Sequence, residues 1–186
     1  MRSLITWNMI SLDGFFEGPE KGGLDWFRFD DQLEKYILET QLEADTILFG
    51  RVTYEGMAAY WPSAQGQIAD FMNRVPKVVF SRTLDKADWN NTRLVTENAA
   101  EEVRKLKQQP GGTIFVFGSA NFTATLMQND LIDEYRIGLN PIVLGLGTPM
   151  FKGSKNSRPL RLLQASPLSS GLVLLHYAPE ASVRGR

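Results

Sequence analysis

Three short segments place small or cationic residues between an apolar run and a helical one: Gly50-Arg51-Val52-Thr53, Ser81-Arg82-Thr83 and Gly118-Ser119-Ala120-Asn121. The first turn of a helix exposes backbone N–H groups with no intrahelical partner, so such junctions favour an anion, phosphate above all. Taken singly, each is also readable as turn punctuation, because glycine commonly ends a strand. Taken together they say more. Ligands of an open α/β sheet bind at the carboxyl ends of its strands, and all three junctions could face one crevice.

Other chemistries are excluded by residue type. Gly118-Ser119-Ala120-Asn121-Phe122 lacks the second and third glycines of the Rossmann fingerprint, and no Walker A sequence occurs. The chain has no cysteine and one histidine, which removes disulfide scaffolds, thiolate nucleophiles and cysteine-based zinc sites, and no metal is expected. A Ser-His-Asp triad would have to use His176, which stands in the apolar run Leu172 to Tyr177 and reads as a structural histidine at a strand end.

Two further segments could address a planar ligand. The glycine-rich stretch from Asp13 and Gly14 to Gly23 carries the adjacent aromatics Phe15 and Phe16, and reads either as a lid or as a plain surface loop. Downstream, Leu24-Asp25-Trp26-Phe27-Arg28-Phe29-Asp30-Asp31 sets aromatics beside carboxylates. Aromatic faces and one carboxylate suit a heterocycle with N–H donors. The competing reading is core packing beside an acidic helix N-terminus.

The elements that must position these residues follow from apolar periodicity. Strands are predicted at Leu4–Leu12, Thr46–Phe49, Lys77–Ser81, Thr113–Phe117, Ile132–Leu139, Leu160–Ser166 and Leu172–Tyr177. Amphipathic helices are predicted at Asp31–Leu42 and Ala99–Lys107, the second capped by Asn98 with Glu101 three residues on. Further helices are expected at Thr53–Ala59, Gln67–Asn73 and Ala120–Gln128. Alternation of the two periods argues for an α/β fold, and the helix-poor last third argues for antiparallel pairing there.

At 186 residues, with 43% hydrophobic and 22% charged residues, the chain is expected to fold as one domain over residues 1–179, followed by a flexible tail at 180–186. A net charge of −1 provides no basic stripe, so nucleic acid is not an expected partner. The first apolar stretch is broken by Asn8, Ser11 and Asp13, and no run reaches membrane-spanning length. A cytoplasmic location is expected.

The order of these motifs is that of a known superfamily. Ser11-Leu12-Asp13-Gly14, Ile47-Leu48-Phe49-Gly50-Arg51-Val52-Thr53-Tyr54-Glu55, Val79-Phe80-Ser81-Arg82 and Ile114-Phe115-Val116-Phe117-Gly118-Ser119 resemble dihydrofolate reductases over nearly the whole chain. Asp133 to Gly145 and Gly147-Thr148-Pro149-Met150-Phe151 resemble the stand-alone branch related to the reductase domain of riboflavin-biosynthesis deaminase-reductases.

The resemblance implies a dihydrofolate-reductase-like three-layer α/β fold with a mostly parallel central sheet, an antiparallel C-terminal edge, and NADPH across the strand ends. Gly50, Arg51 and Thr53 would then meet the cofactor phosphates, Ser81 and Arg82 would lie near the 2′-phosphate, and Gly118, Ser119, Ala120 and Asn121 would cradle the pyrophosphate. Asp13 and Gly14 would belong to the loop over the nicotinamide. Trp26 and Asp31 match the tryptophan and pterin-binding carboxylate by spacing, with Asp30 competing for the second role. Arg51 is expected to select NADPH over NADH, unless it is merely paired with Glu55.

Two departures bear on substrate. Riboflavin-type reductases carry a glutamate where this chain has Phe117, and acidic residues where it has Gly56-Met57-Ala58, which argues against a ribosyl-phosphate substrate. The zinc-deaminase half needs cysteines that are absent. The expectation is an NADPH-dependent reductase, homodimeric, that acts on a small pterin- or pyrimidine-like heterocycle. A non-catalytic nucleotide-binding or oligomeric module on the same fold is the alternative.

Overall fold

The computed structural model describes residues 1–20, 23–40, 43–153 and 157–180. Lys21 and Gly22 of the glycine-rich loop, Gln41 and Leu42 of the first predicted helix and the tail from Ala181 lie outside them.

In chain order the strands are β1 (Leu4–Ser11), β2 (Phe15–Glu17), β3 (Ala44–Gly50), β4 (Lys77–Phe80), β5 (Thr92–Val95), β6 (Thr113–Val116), β7 (Glu134–Asn140), β8 (Thr148–Pro149), β9 (Leu160–Pro167) and β10 (Val173–Pro179). The helices are α1 (Asp31–Thr40), α2 (Arg51–Tyr60), α3 (Gln67–Arg74), α4 (Ala99–Gln108) and α5 (Ala120–Gln128). Eight strands form one sheet in the order β5-β4-β3-β6-β1-β7-β10-β9, while β2 and β8 pair separately. The sheet is parallel from β5 to β7. At the far edge β10 runs antiparallel to both β7 and β9.

Successive side chains of a strand point to opposite faces, and the core divides accordingly. Ile5, Phe49 and Phe115 join Leu33 of α1, Tyr54 of α2 and Phe71 of α3 on one face. Their neighbours Leu4, Leu48 and Ile114 join Val103 and Leu106 of α4 and Phe122 and Leu126 of α5 on the other. The result is three layers. Being buried on both faces is why the central strands read as continuous apolar runs.

The structure corrects several expectations. Asn98 does not cap α4 with its side chain; it sits at φ 47°, a left-handed conformation asparagine tolerates, and only its carbonyl accepts, from Glu102 N–H at 3.0 Å. Helix α2 begins at Arg51, two residues ahead of the predicted start. Strands β2, β5 and β8 were not anticipated: β5 is an edge strand with only partial burial, and the other two are too short to show a period.

At the amino ends of the strands, buried cations seal helix and loop carbonyls. Lys77 Nζ donates to the carbonyls of Met72 (2.8 Å) and Val75 (2.7 Å) at the end of α3, 4.5 Å from the centre of the Trp89 ring. Burial pulls the Lys77 amine down to about 8. An open hollow of about 860 Å³ lies beside it. These groups saturate one another, and the predicted junctions all lie at the opposite end.

Candidate active site

Because β4, β3, β6 and β1 are parallel, their carboxyl ends share one edge of the sheet. Along that edge the chain places Ser81, Gly50, Gly118 and Asp13 in the order β4, β3, β6, β1. The sequence-predicted segments therefore converge. Gly50 N–H donates to the Gly118 carbonyl at 2.9 Å, and a Cβ on Gly50 would collide with Ser119 Oγ. Gly118 has φ +96°, and a Cβ there would lie 2.9 Å from Phe16 Cζ and 3.1 Å from Thr53 Oγ1. Only glycine permits both that conformation and that approach.

Two helices start at this contact from opposite faces of the sheet: α2 at Arg51 and α5 at Ala120. Their first-turn N–H groups have no intrahelical acceptor, and neither helix has a side-chain cap. Ala120 is buried, whereas Asn121 is exposed. The arrangement is suited to phosphate held between two positive helix ends.

The two arginines differ. Arg51 Nη1 reaches both carboxylate oxygens of Glu55, at 3.1 and 3.0 Å, one turn along α2. Arg82 is exposed, and among the described residues it forms no ion pair. Ser81 is buried, and its Oγ accepts the N–H groups of Thr83 (3.1 Å) and Leu84 (3.0 Å), which shapes the turn that presents Arg82.

Asp13 Oδ1 accepts from Ser11 Oγ (2.6 Å) and Leu144 N–H (3.1 Å), and Oδ2 from Gly145 N–H (2.8 Å). The Ser11 hydroxyl, with these two amides, holds the carboxyl down to about 2. Gly14 has φ +85° and an open environment. Beyond it, β2 lies across the edge, paired with β8.

After the glycine-rich loop, a cleft of about 320 Å³ is lined by Asp25, Trp26, Phe27, Arg28, Pro141 and Ile142. Trp26 Nε1 donates to Gly23 O at 3.0 Å, and its ring meets Phe27 edge-on with centroids 4.4 Å apart. The segment is anchored by Asn140, fully buried at the end of β7, whose Oδ1 accepts Arg28 N–H at 2.9 Å. Asp30 and Asp31 separate cleanly. Asp30 Oδ1 accepts Leu33 N–H at 2.8 Å and caps α1, a bond that lowers its carboxyl below the usual range, helped by the Ser170 hydroxyl. Asp31 is exposed at the first helical position, and its carboxylate makes no hydrogen bond to any described residue.

Sequence reasoning missed Asn140, and the contact of Phe16 with Gly118. A buried asparagine at a strand end carries no periodic signal, and 102 positions separate Phe16 from Gly118. His176 is structural as expected: buried, with Tyr36 Oη 2.7 Å from Nε2 and Glu134 Oε1 3.4 Å from Nδ1. No group of metal-ligating side chains occurs among the described residues.

Sheet order, antiparallel edge and site at the carboxyl ends together define a dihydrofolate-reductase-like fold. The chain belongs to the RibD C-terminal domain family, whose model matches residues 2–174. It is 33% identical over 181 residues to the uncharacterized protein YyaP of Bacillus subtilis, covering 95% of this chain and 94% of that one. Its fold is similar to that of a Shewanella protein provisionally assigned to riboflavin biosynthesis, with TM-score 0.78 and 19% identity over 96% of this chain and 99% of the other. It is also similar to Enterococcus faecalis dihydrofolate reductase, solved with NADP(H) and RAB-propyl, with TM-score 0.68 and 14% identity over 96% and 97% of the two chains. Family and fold support a reductase of the RibD and dihydrofolate reductase type. Among the described residues no helix is long and apolar enough to cross a membrane.

Proposed function

We propose that this chain is an NADPH-dependent reductase that acts on a small planar heterocycle of pterin or pyrimidine type. The observation that carries the reading is the mutual contact of Gly50, Thr53, Gly118 and Ser119 between two uncapped helix N-termini. Glycine at both positions lets the two strand ends meet, which brings the first-turn amides of α2 and α5 to one place, and those amides fit a dinucleotide pyrophosphate. The bound cofactor supplies the hydride.

The chain's own residues bind, orient and exclude water. The first-turn amides at Ala120 and Asn121, with Thr53, meet the pyrophosphate. Arg82, presented by the Ser81 turn, meets the 2′-phosphate, and Arg51 joins it by exchanging Glu55 for phosphate. Gly14 and the lid would cover the nicotinamide side, with Asp13 holding that loop in place. Trp26 packs against the heterocycle, and the exposed Asp31 accepts two hydrogen bonds from its amidine edge, which raises the basicity of the ring nitrogen to be protonated. Phe117, stacked on Phe49 and Phe115 at 6.2 and 6.1 Å, lends no charge for a ribosyl phosphate.

Further parts of the reading are a homodimer and a cytoplasmic location. Strand β9 is exposed over most of its length, with Leu162 and Leu163 about half exposed, an edge that a second copy would cover. The decisive experiment is NADPH titration followed by cofactor oxidation across pterins, folates and aminopyrimidines. NADPH binding with no oxidation of any acceptor would favour a non-catalytic module; no NADPH binding would refute the reading.

A further inference from the structure

The first part of the lid, residues 12–17, is tied down by a loop more than 120 residues away in the chain. Leu12 N–H donates to Ile142 O (2.8 Å), Met150 N–H donates to Gly14 O (3.0 Å), and Phe15 and Glu17 pair with Pro149 and Thr148. Gly147 lies so close beneath the strand that a Cβ would strike the Glu17 carbonyl oxygen, and at φ +150° it needs to be glycine on backbone grounds as well.

Asp13 stands where these strands of contact meet. One carboxylate oxygen takes Ser11 Oγ–H and Leu144 N–H, the other takes Gly145 N–H, and Ser11 Oγ in turn accepts Phe15 N–H at 2.9 Å. The carboxylate therefore orients the hydroxyl that holds the lid, while gripping the turn that forms the loop. We propose that Asp13 is a positioning residue that clasps lid and loop 141–150 into a single wall of the cleft, and that it reaches the cofactor only through Phe16 on Gly118. Placing that wall beside a hydride-transfer site rests on the reductase reading above; the clasp itself does not. With its pKa near 2 the carboxylate stays ionised throughout the working range, so the clasp does not open with pH.

The physical consequence is coupled motion. A separate lid would open while the loop stayed in place, whereas a clasped lid opens only with its loop. Asp13→Asn keeps the shape of the side chain but replaces one acceptor oxygen by a donor facing Gly145 N–H. Gly147→Ala attacks the same joint from the other side.

Hydrogen exchange of the full chain, read by mass spectrometry on wild type and both variants, tests the proposal. In each variant, peptides covering residues 12–18 and 141–150 should exchange faster together, by about tenfold, while those covering 113–128 hold steady; the thermal midpoint holds in Asp13→Asn and falls in Gly147→Ala, whose Cβ strikes Glu17. With an accepted heterocycle, Asp13→Asn should lower kcat about tenfold and leave KM for NADPH within about threefold. Faster exchange confined to 141–150, or no change in either segment, would overturn the clasp. A raised KM for NADPH at unchanged kcat would also overturn it, making Asp13 a direct cofactor ligand. If wild type fails to bind NADPH yet both segments loosen together, the clasp stands and the reductase reading falls.

Discussion

Gly50 and Ser119 touch across the carboxyl edge of the sheet, so that a single methyl group on Gly50 would run into the Ser119 hydroxyl oxygen. At φ −80° the backbone of Gly50 would accept alanine, so the cost of Gly50→Ala is one of packing. We expect a loss of about 1–3 kcal/mol together with weaker NADPH binding, because the first turn of α5 is pushed aside. Gly56, inside α2 with nothing within 4 Å of its missing Cβ, is the contrast. Gly56→Ala should stabilise by roughly 0.5–1 kcal/mol through helix propensity. Urea unfolding of the two variants, with a fluorescence titration of NADPH, checks both signs.

Arg82 and Arg51 make different predictions for cofactor choice. Arg82→Ala should weaken NADPH by roughly tenfold, the equivalent of about 1.4 kcal/mol, and leave NADH nearly unchanged. Arg51→Ala should show a smaller loss, because its guanidinium starts from an ion pair with Glu55. Titration of both cofactors against wild type and variants measures this. Equal wild-type affinity for NADPH and NADH would remove the 2′-phosphate assignment altogether.

The neighbours Asp30 and Asp31 should part company on substitution. Asp30→Ala removes the cap of α1 and should cost about 1 kcal/mol of stability. Asp31→Asn should leave stability within about 0.5 kcal/mol and NADPH binding intact, while cutting turnover. Thermal melts and steady-state rates separate the two effects; a turnover loss in Asp30→Asn with none in Asp31→Asn would transfer the role to the cap.

His176 makes stability depend on pH. Burial, then the Arg136 charge, lower its pKa from the ordinary value of 6.5, against the pull of Glu134. The folded state therefore resists protonation. Its contribution is complete above about pH 6.5 and is lost as pH falls from there through the lowered folded value. Replacing His176 by Gln should flatten the fall in unfolding free energy between about pH 7 and 5, even if the variant is less stable at pH 7. An unchanged slope would show that carboxylates alone set the acid limit.

The exposed edge of β9 predicts self-association. Light scattering at micromolar concentration should return the mass of a dimer, and Leu162→Asp with Leu163→Asp should return that of a monomer. A sharp monomer mass for the wild type would reject the dimer.

Apolar runs and the residues that end them were sufficient to locate β1, β3, β4, β6, β7, β9 and β10, and the five helices to within about two residues at most ends. Burial on both faces imposes continuous apolar character, and helical burial imposes a period, so both are written into neighbouring residues. The junctions at Gly50, Ser81 and Gly118 were legible for the same reason. Each is a local event: a strand stops at all three, and a helix starts after Gly50 and after Gly118, whereas the helix expected after Ser81 is a turn closed by its hydroxyl.

What the chain's periodicity left open was every relationship between distant segments. That β6 lies between β3 and β1, so that Gly50 meets Gly118, is a matter of strand order, and it comes with α4 and α5 packed on one face and α1 to α3 on the other. That Asp30 and not Asp31 caps α1 turned on where the helix begins, and that Arg51 is paired while Arg82 has no ion pair among the described residues turned on Glu55 one helical turn away. Asp13 shows the limit most plainly. Its residue type and place after β1 mark a loop, but its partners Leu144 and Gly145 lie 131 and 132 positions along the chain. Hydrophobic pattern records only whether a side chain is buried; which partner it meets is decided when the layers close, and that depends on the whole chain at once.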